Sequence, residues 1–153
     1  MIRPATYKDR LAVIGLLRDS RIGAGFDSAE GPTGFTFPFV AAYAERLFLL
    51  HLAEPLCFCV VFEVEGAPRG VLMAQAFEHP FGPVMIARET VWWIDPAHRG
   101  RAAIAMLNAY EGWARNKGCA FVGMAGMGAD PDVAALYHRR GYRTAETHFL
   151  KAV

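Results

Sequence analysis

Apolar residues follow two rhythms along this chain, one with helical spacing and one dense and strand-like. Ile2 to Ala5 reads as a short first strand, and Thr6-x-x-Asp9 behind it is a capping-box signature for a helix carrying Leu11, Ile14 and Leu17 on one face. That helix is expected to fade near Gly23. From Arg21 to Phe37 the glycines Gly23, Gly25, Gly31 and Gly34, together with Pro32, interleave with phenylalanines. Such a stretch disfavours regular structure while keeping apolar anchors, which predicts a flap or substrate loop. A second helix is predicted over about Pro38 to Leu52, with proline near its first turn and Pro55 beyond its end.

The rhythm then changes. Cys57 to Val64 and Gly70 to Phe77 are β-rich runs around Glu65-Gly66-Ala67-Pro68-Arg69, which predicts a hairpin. Val84 to Ile94 is rich in apolar, β-branched and aromatic residues, as expected of a central strand covered on both faces. Arg101 to Lys117 spaces Ile104, Leu107, Tyr110 and Trp113 for a helix, with Gly118 as its stop. Cys119 to Met127 is predicted as a buried strand. Asp130-Pro131 supplies an N-cap and first-turn proline for a helix with Val133, Leu136 and Tyr137 on one face, ended by Gly141. Arg143 to Ala152 reads as a last strand. The predicted order is βααβββαβαβ, an α/β chain with a mixed sheet and helices on both faces. With no repeat or linker in sight, residues 1–153 are expected to form a single domain.

Composition narrows the function classes. The 153 residues are 54% apolar and 20% charged, enough for a sizeable core. Lysine plus arginine (16) nearly balances aspartate plus glutamate (15), so no overall field favours nucleic acid or an anionic membrane. The N-terminus lacks a signal-like apolar stretch, and the longest apolar run, Leu56 to Phe62, is too short to cross a bilayer, so a cytoplasmic location is expected. Cys57, Cys59 and Cys119 suit reduced, buried thiols, and the five scattered histidines form no ligand pair, so no metal is expected.

The candidate chemistry centres on His98-Arg99-Gly100-Arg101-Ala102. A diphosphate needs several amide donors at close range, and the first turn of a helix offers them with a favourable dipole. Asp95-Pro96 halts the strand, Gly100 permits a tight bend, Ala102 keeps the surface low, and Arg99 and Arg101 add positive charge. By itself such a turn is also how many solvated helices begin. The stretch from Ile94 to Ala102 resembles motif A of the GNAT family of N-acetyltransferases, Q/R-x-x-G-x-G/A in a V-x-P-x-x-R-G-x-G context. Leu136-Tyr137-His138-Arg139-Arg140-Gly141-Tyr142 is similar to that family's later F-Y-x-x-x-G-F segment. Arg99 and Gly100 keep the pattern, whereas Ala102 stands at its first glycine and Ile104 at its glycine or alanine.

The resemblance implies a GNAT-like acyl-CoA N-acyltransferase fold and direct transfer of acetyl from acetyl-CoA, as co-substrate, to an amine. His98, Arg99, Gly100, Arg101, Ala102 and Ala103 are then the cofactor-binding turn. Backbone amides near Trp93 and Ile94 become the oxyanion donors, where the fourth and fifth strands splay. A base is needed for the amine and an acid for the leaving thiolate. Glu89, inside an apolar run, is the candidate base, with an ion pair as its structural alternative. Tyr137 is the candidate acid, with a packed, satisfied tyrosine as the alternative. The acceptor is expected to be a small-molecule or peptide amine meeting residues 21–37 or 79–83, and a sheet edge or the last strand is the candidate homodimer surface. The competing readings are a catalytically degenerate acyl-CoA-binding or interaction module, motivated by Ala102 and Ile104, and an unrelated nucleotide-binding domain, which lacks GxxxxGK[ST] and GxGxxG.

Overall fold

The computed structural model describes residues 1–126 and 132–153, and two compact units divide at Gly123. The first, Met1–Gly123, holds a mixed five-stranded sheet in the order β1-β2-β3-β4-β5. Its strands are β1 (Ile2–Pro4), β2 (Cys57–Val64), β3 (Ala67–Glu78), β4 (Met85–Ile94) and β5 (Phe121–Gly123), antiparallel except for the parallel β4–β5 pair. Helices α1 (Arg10–Gly23) and α2 (Ala41–Ala53) pack on one face. Helix α3 (Arg101–Asn116) covers the other, where Phe58 of β2 stacks on Tyr110 and Trp113 at 6.0 and 5.1 Å.

The capping box is built, but it opens a 3-10 turn at Tyr7–Asp9 that runs on into α1. The Asp9 carboxylate accepts the Thr6 N–H at 2.8 Å and both terminal nitrogens of Arg3 at 2.8 Å, while Arg3 Nε donates to Glu63 at 2.6 Å. This ties β1, β2 and the entry to α1 together. The helical face differs from the one expected: Leu11 is 72% exposed, and the buried stripe is Val13, Leu16 and Leu17, with Ile14 partly buried beside them. Helix α2 starts at Ala41 rather than near Pro38, because Val40 before it is extended (φ −119°, ψ 111°).

The hairpin is tighter than expected. Only Glu65 and Gly66 lie between β2 and β3, both at positive φ (51° and 79°), the backbone that two-residue turns matched to strand twist require. Pro68 is inside β3 next to the irregularity at Phe62/Glu63, where a missing ladder donor is tolerated. Gly118 and Gly141 end α3 and α4 (Ala134–Arg139) as expected, each at positive φ. In both, the glycine N–H returns to the carbonyl three residues back and the next N–H to the carbonyl five back, a Schellman closure.

Two strand expectations are corrected. The buried strand expected over Cys119–Met127 is only Phe121–Gly123, and Phe121 is 69% exposed. Residues 143–152 form no strand: all are exposed, and Phe149 and Leu150, adjacent rather than alternating, give no apolar face to bury. The observed order therefore lacks the final β of βααβββαβαβ. Asp130, Pro131 and Met127 lie outside the described residues. The second unit, Met124–Val153, contains α4, whose buried Tyr137 packs its ring 5.6 Å from Tyr142.

Candidate active site

Strand β4 is the axis of the site. It pairs with β5 only from Ile86–Phe121 to Arg88–Gly123, and Glu89 to Ile94 run past that ladder. The end of β5 is held from below, because the fully buried Tyr110 of α3 donates to Gly123 O at 3.0 Å. On its other side β4 follows β3 with one irregularity: Met73 pairs with Val91 and Ala74 with Glu89, so Thr90 is the extra residue of a bulge.

Register decides which β4 amides beyond that ladder point to the β5 side. Asp95 N–H donates to Arg69 O at 2.8 Å, which makes Ile94–Gly70 a non-hydrogen-bonded pair and directs the Trp93 amide into the β3 ladder. Of the two expected oxyanion donors, the Ile94 N–H faces the β5 side and the Trp93 N–H does not. The Trp93 indole instead packs on the helical layer, so close to Gly23 that a Cβ there would come within 2.2 Å of the ring. With Asp19, Ile22, Gly23, Asp95 and Pro96 it lines a cavity of about 270 Å³.

The turn beyond β4 is a 3-10 turn, Pro96–His98, followed by Gly100 at φ 89°, ψ −111° as the N-cap of α3. Only glycine adopts that backbone without strain, and no atom lies within 4 Å of its missing side chain. The N–H groups of Arg101 and Ala102 precede the first backbone bond of α3, which Ala103 makes to Gly100, and lie at the positive end of the helix dipole, the equipment an anion needs. Arg101 is exposed and has no ion-pair partner among the described residues. Arg99 is exposed but engaged: Nε donates to Ile94 O at 3.2 Å and the guanidinium lies 5.0 Å over the Trp93 ring. His98 is half-buried against Phe62, and Ala103 is half-buried with its N–H on Gly100 O at 3.0 Å. The two departures from the family pattern differ in kind. Ala102 is 5% exposed and faces the core, whereas Ile104 is 45% exposed on the first turn of α3.

Glu89 is half-buried and, through the register Phe58–Ala74–Glu89, belongs to the α3 face of the sheet. Tyr137, in the second unit, is buried and donates to Ala125 O at 2.8 Å. Burial pushes the Cys59 thiol up to about 12, so it is no nucleophile at neutral pH. Among the described residues no group of three metal-ligating side chains occurs.

One buried polar cluster escaped the sequence reading. His51 of α2 is 3% exposed, with Nδ1 2.8 Å from Leu47 O and Nε2 2.9 Å from the Thr90 hydroxyl. Its signal was the helical spacing of Ala44, Phe48 and His51, which puts the imidazole on the buried stripe of α2.

Comparison with known proteins agrees with this fold. The profile of the acetyltransferase (GNAT) family matches residues 27–142, more than half of the chain. No curated protein sequence matches it significantly. Similar solved structures include a transcriptional regulator from Bacillus halodurans C-125 (17% identity, 100% of this chain and 99% of that one, TM-score 0.76). An aminoglycoside antibiotic 6'-N-acetyltransferase from Acinetobacter haemolyticus aligns at 18% identity over 100% and 99% of the two chains, with TM-score 0.72. A predicted acetyltransferase from Clostridium acetobutylicum, solved with acetyl-CoA, aligns at 15% identity over 99% and 95%, with TM-score 0.76. At these identities the structures speak for the fold, while the profile match supplies the family. The chain belongs to the GNAT acetyltransferase family.

Proposed function

We propose that the protein is an N-acetyltransferase that passes the acetyl group of acetyl-CoA directly to an amine, acting as one domain over residues 1–153 in the cytoplasm. The observation that carries this reading is the course of β4, which leaves β5 after Arg88 and ends in the Gly100 turn at the N-terminus of α3. The β5-side edge of Glu89 to Ile94, beyond the β5 ladder, would suit an extended thioester arm. The turn suits its pyrophosphate, with helix amides as donors and Arg101 as the uncommitted cation. Arg99 and His98 shape the turn and would meet phosphate only by exchanging their present contacts.

In the reaction the amine nitrogen bonds to the thioester carbonyl carbon, the oxyanion accepts the Ile94 N–H, and collapse breaks the C–S bond. Glu89, five residues before Ile94 on the extended strand, would take the amine proton through ordered water. The family resemblance assigns the acid to Tyr137, whose hydroxyl would leave Ala125 O to protonate the thiolate. The acceptor would be a small-molecule or peptide amine, and no helix among the described residues is long and apolar enough to cross a membrane.

Calorimetry with acetyl-CoA tests the turn: Arg101→Glu weakens binding by charge reversal, and unchanged affinity contradicts the placement. Tyr137→Phe slows thiol release more than it weakens acetyl-CoA binding; equal turnover removes Tyr137 from the mechanism. A second reading, an acyl-CoA-binding module without turnover, is favoured by the exposed Ile104 where the family has a small residue. Binding without thiol release across amine classes would establish it.

A further inference from the structure

Helix α2 has no polar face. Of the thirteen residues Ala41–Ala53, only Tyr43, Glu45, Arg46 and His51 carry a polar side chain. Glu45 pairs with Arg10 of α1, and His51 is buried on the sheet side with Ala44 and Phe48. Leu47, Leu49 and Leu52 pack partly against the core beside them. The outer side is left to Tyr43, Arg46, Leu50 and Ala53, all exposed, Tyr43 by 67% and Leu50 by 42%. Helix α3, by contrast, turns Arg101, Asn108, Arg115 and Asn116 to water. A surface helix is polar on its outer side, and one that is apolar all round is covered there. Positions 43, 46, 50 and 53 recur at intervals of three and four residues, the seam spacing of a helix packed along another helix.

A second copy of the same helix fits this stripe, and it fits in one direction. With the helices antiparallel about a two-fold axis level with Phe48, Tyr43 lies opposite Ala53 of the other copy and Leu50 opposite Arg46. The bulkiest seam residue then meets the smallest, and each leucine meets the aliphatic stem of an arginine. Parallel helices would set Tyr43 on Tyr43 and Arg46 on Arg46, like charge against like. The Arg46 guanidinium already lies 4.8 Å over the Tyr43 ring, so it has an aromatic partner whether or not the seam is closed. One cation is too few for nucleic acid or an anionic membrane, both of which call for basic clusters. Closing two copies over this stripe and the flanking Phe37 and Val40, 45% and 47% exposed, buries on the order of 500 Å² per protomer, about 1,000 Å² in all, which reaches the floor for a specific interface.

We propose that the protein forms a homodimer in which α2 packs antiparallel on α2 of a second copy, with Tyr43, Arg46, Leu50 and Ala53 as the seam. The seam lies on the sheet face away from α3, so dimerisation leaves that helix and its Gly100 N-cap uncovered. It does not depend on the acetyltransferase reading.

Sedimentation velocity over a concentration series tests the dimer, and cross-linking tests its direction. An interface at the small end of the specific range predicts a Kd of about micromolar order for the wild type. Leu50→Glu places a charge at two symmetry-related points of the seam and should raise Kd by about 100-fold or more. Leu50 is exposed in the protomer, so the fold does not depend on it. Arg46→Leu removes the only charge of the seam and should lower Kd by about 3- to 10-fold, which a variant damaged in its fold would not do. Tyr43→Cys and Ala53→Cys proteins, mixed under mild oxidation, should form a disulfide between the two variants, identified by mass spectrometry of the linked peptides. Neither variant alone should link to itself at the new position, because antiparallel packing holds the two equivalent sites about 15 Å apart along the axis. A wild type that sediments as a monomer at about 100 µM, far above the expected Kd, would overturn the inference. So would a Leu50→Glu dimer as tight as the wild type, an Arg46→Leu dimer that is weaker, or the lack of the mixed disulfide.

Discussion

Gly23→Ala is a substitution whose sign the structure fixes. A Cβ at Gly23 would lie 2.2 Å from both Cη2 and Cζ3 of Trp93, against roughly 3.5–4.0 Å for carbon atoms at rest. The ring must therefore move by more than about 1 Å. It has little freedom to do so, because it packs against the core under α1 and carries the Arg99 guanidinium at 5.0 Å. Overpacking of this kind costs about 1–3 kcal/mol, and Gly23 is the last residue of α1, where alanine's helix propensity returns little. A loss of about 2 kcal/mol lowers Tm by roughly 4–8 °C in a chain of this size. Gly15 and Gly112 are the controls. They lie inside α1 and α3 with nothing within 4 Å of a new Cβ, so alanine there should stabilise by about 0.5–1 kcal/mol. Thermal unfolding followed by circular dichroism ranks the three variants. If Gly23→Ala melts at or above Gly15→Ala, the Trp93 contact is not as described and the reasoning fails.

Other expectations follow from the same contacts. Asp9→Asn removes the charge that holds Arg3 and should cost about 2 kcal/mol in urea unfolding, less than the roughly 3–5 kcal/mol of a fully buried pair because Arg3 keeps Glu63 and is 25% exposed. The Arg3 guanidinium holds the Asp9 carboxyl below its usual range, so its stabilisation is present above the unfolded pKa and is lost as pH falls through the folded one. His51, whose pKa is also lowered, works in the same direction: stability declines as pH drops below about 6.5, where the unfolded imidazole gains a proton first. Urea midpoints that stay flat from pH 7 to about 5 would contradict the buried neutral imidazole. Gly100→Ala forces a side chain into φ 89° at a cost of about 1–3 kcal/mol, and calorimetry should show weaker acetyl-CoA binding although the methyl meets no atom. Tyr110→Phe leaves Gly123 O without the 3.0 Å donor and should lower stability by about 1 kcal/mol.

What could be read from the sequence was whatever local chemistry dictates. Gly118 and Gly141 announce helix ends because a positive φ closes both Schellman turns, and β-rich runs around Gly66 announce the hairpin. The stripes of α1 and α3 were harder to read. Core contacts fall on small residues such as Ala102 and Ala114, while larger ones such as Leu11 and Ile104 face solvent. Hydropathy ranks side chains, whereas the sheet selects for fit. The bulge at Thr90, the amide parity at Ile94 and the reach of His51 are set by register and by packing between elements distant in sequence. The turn at Gly100 was legible because one backbone requirement singles out one residue, whereas the contact of Arg99 depends on where Trp93 lies.

The proposed activity is transfer of acetyl from acetyl-CoA to an amine. The most direct measurement is thiol release from acetyl-CoA across small amines, polyamines, amino acids and peptide N-termini, with the acetylated product identified by mass spectrometry. Release is expected with at least one amine class, matched by acetylated product. Stabilisation of the protein by CoA with no release against any class would contradict it.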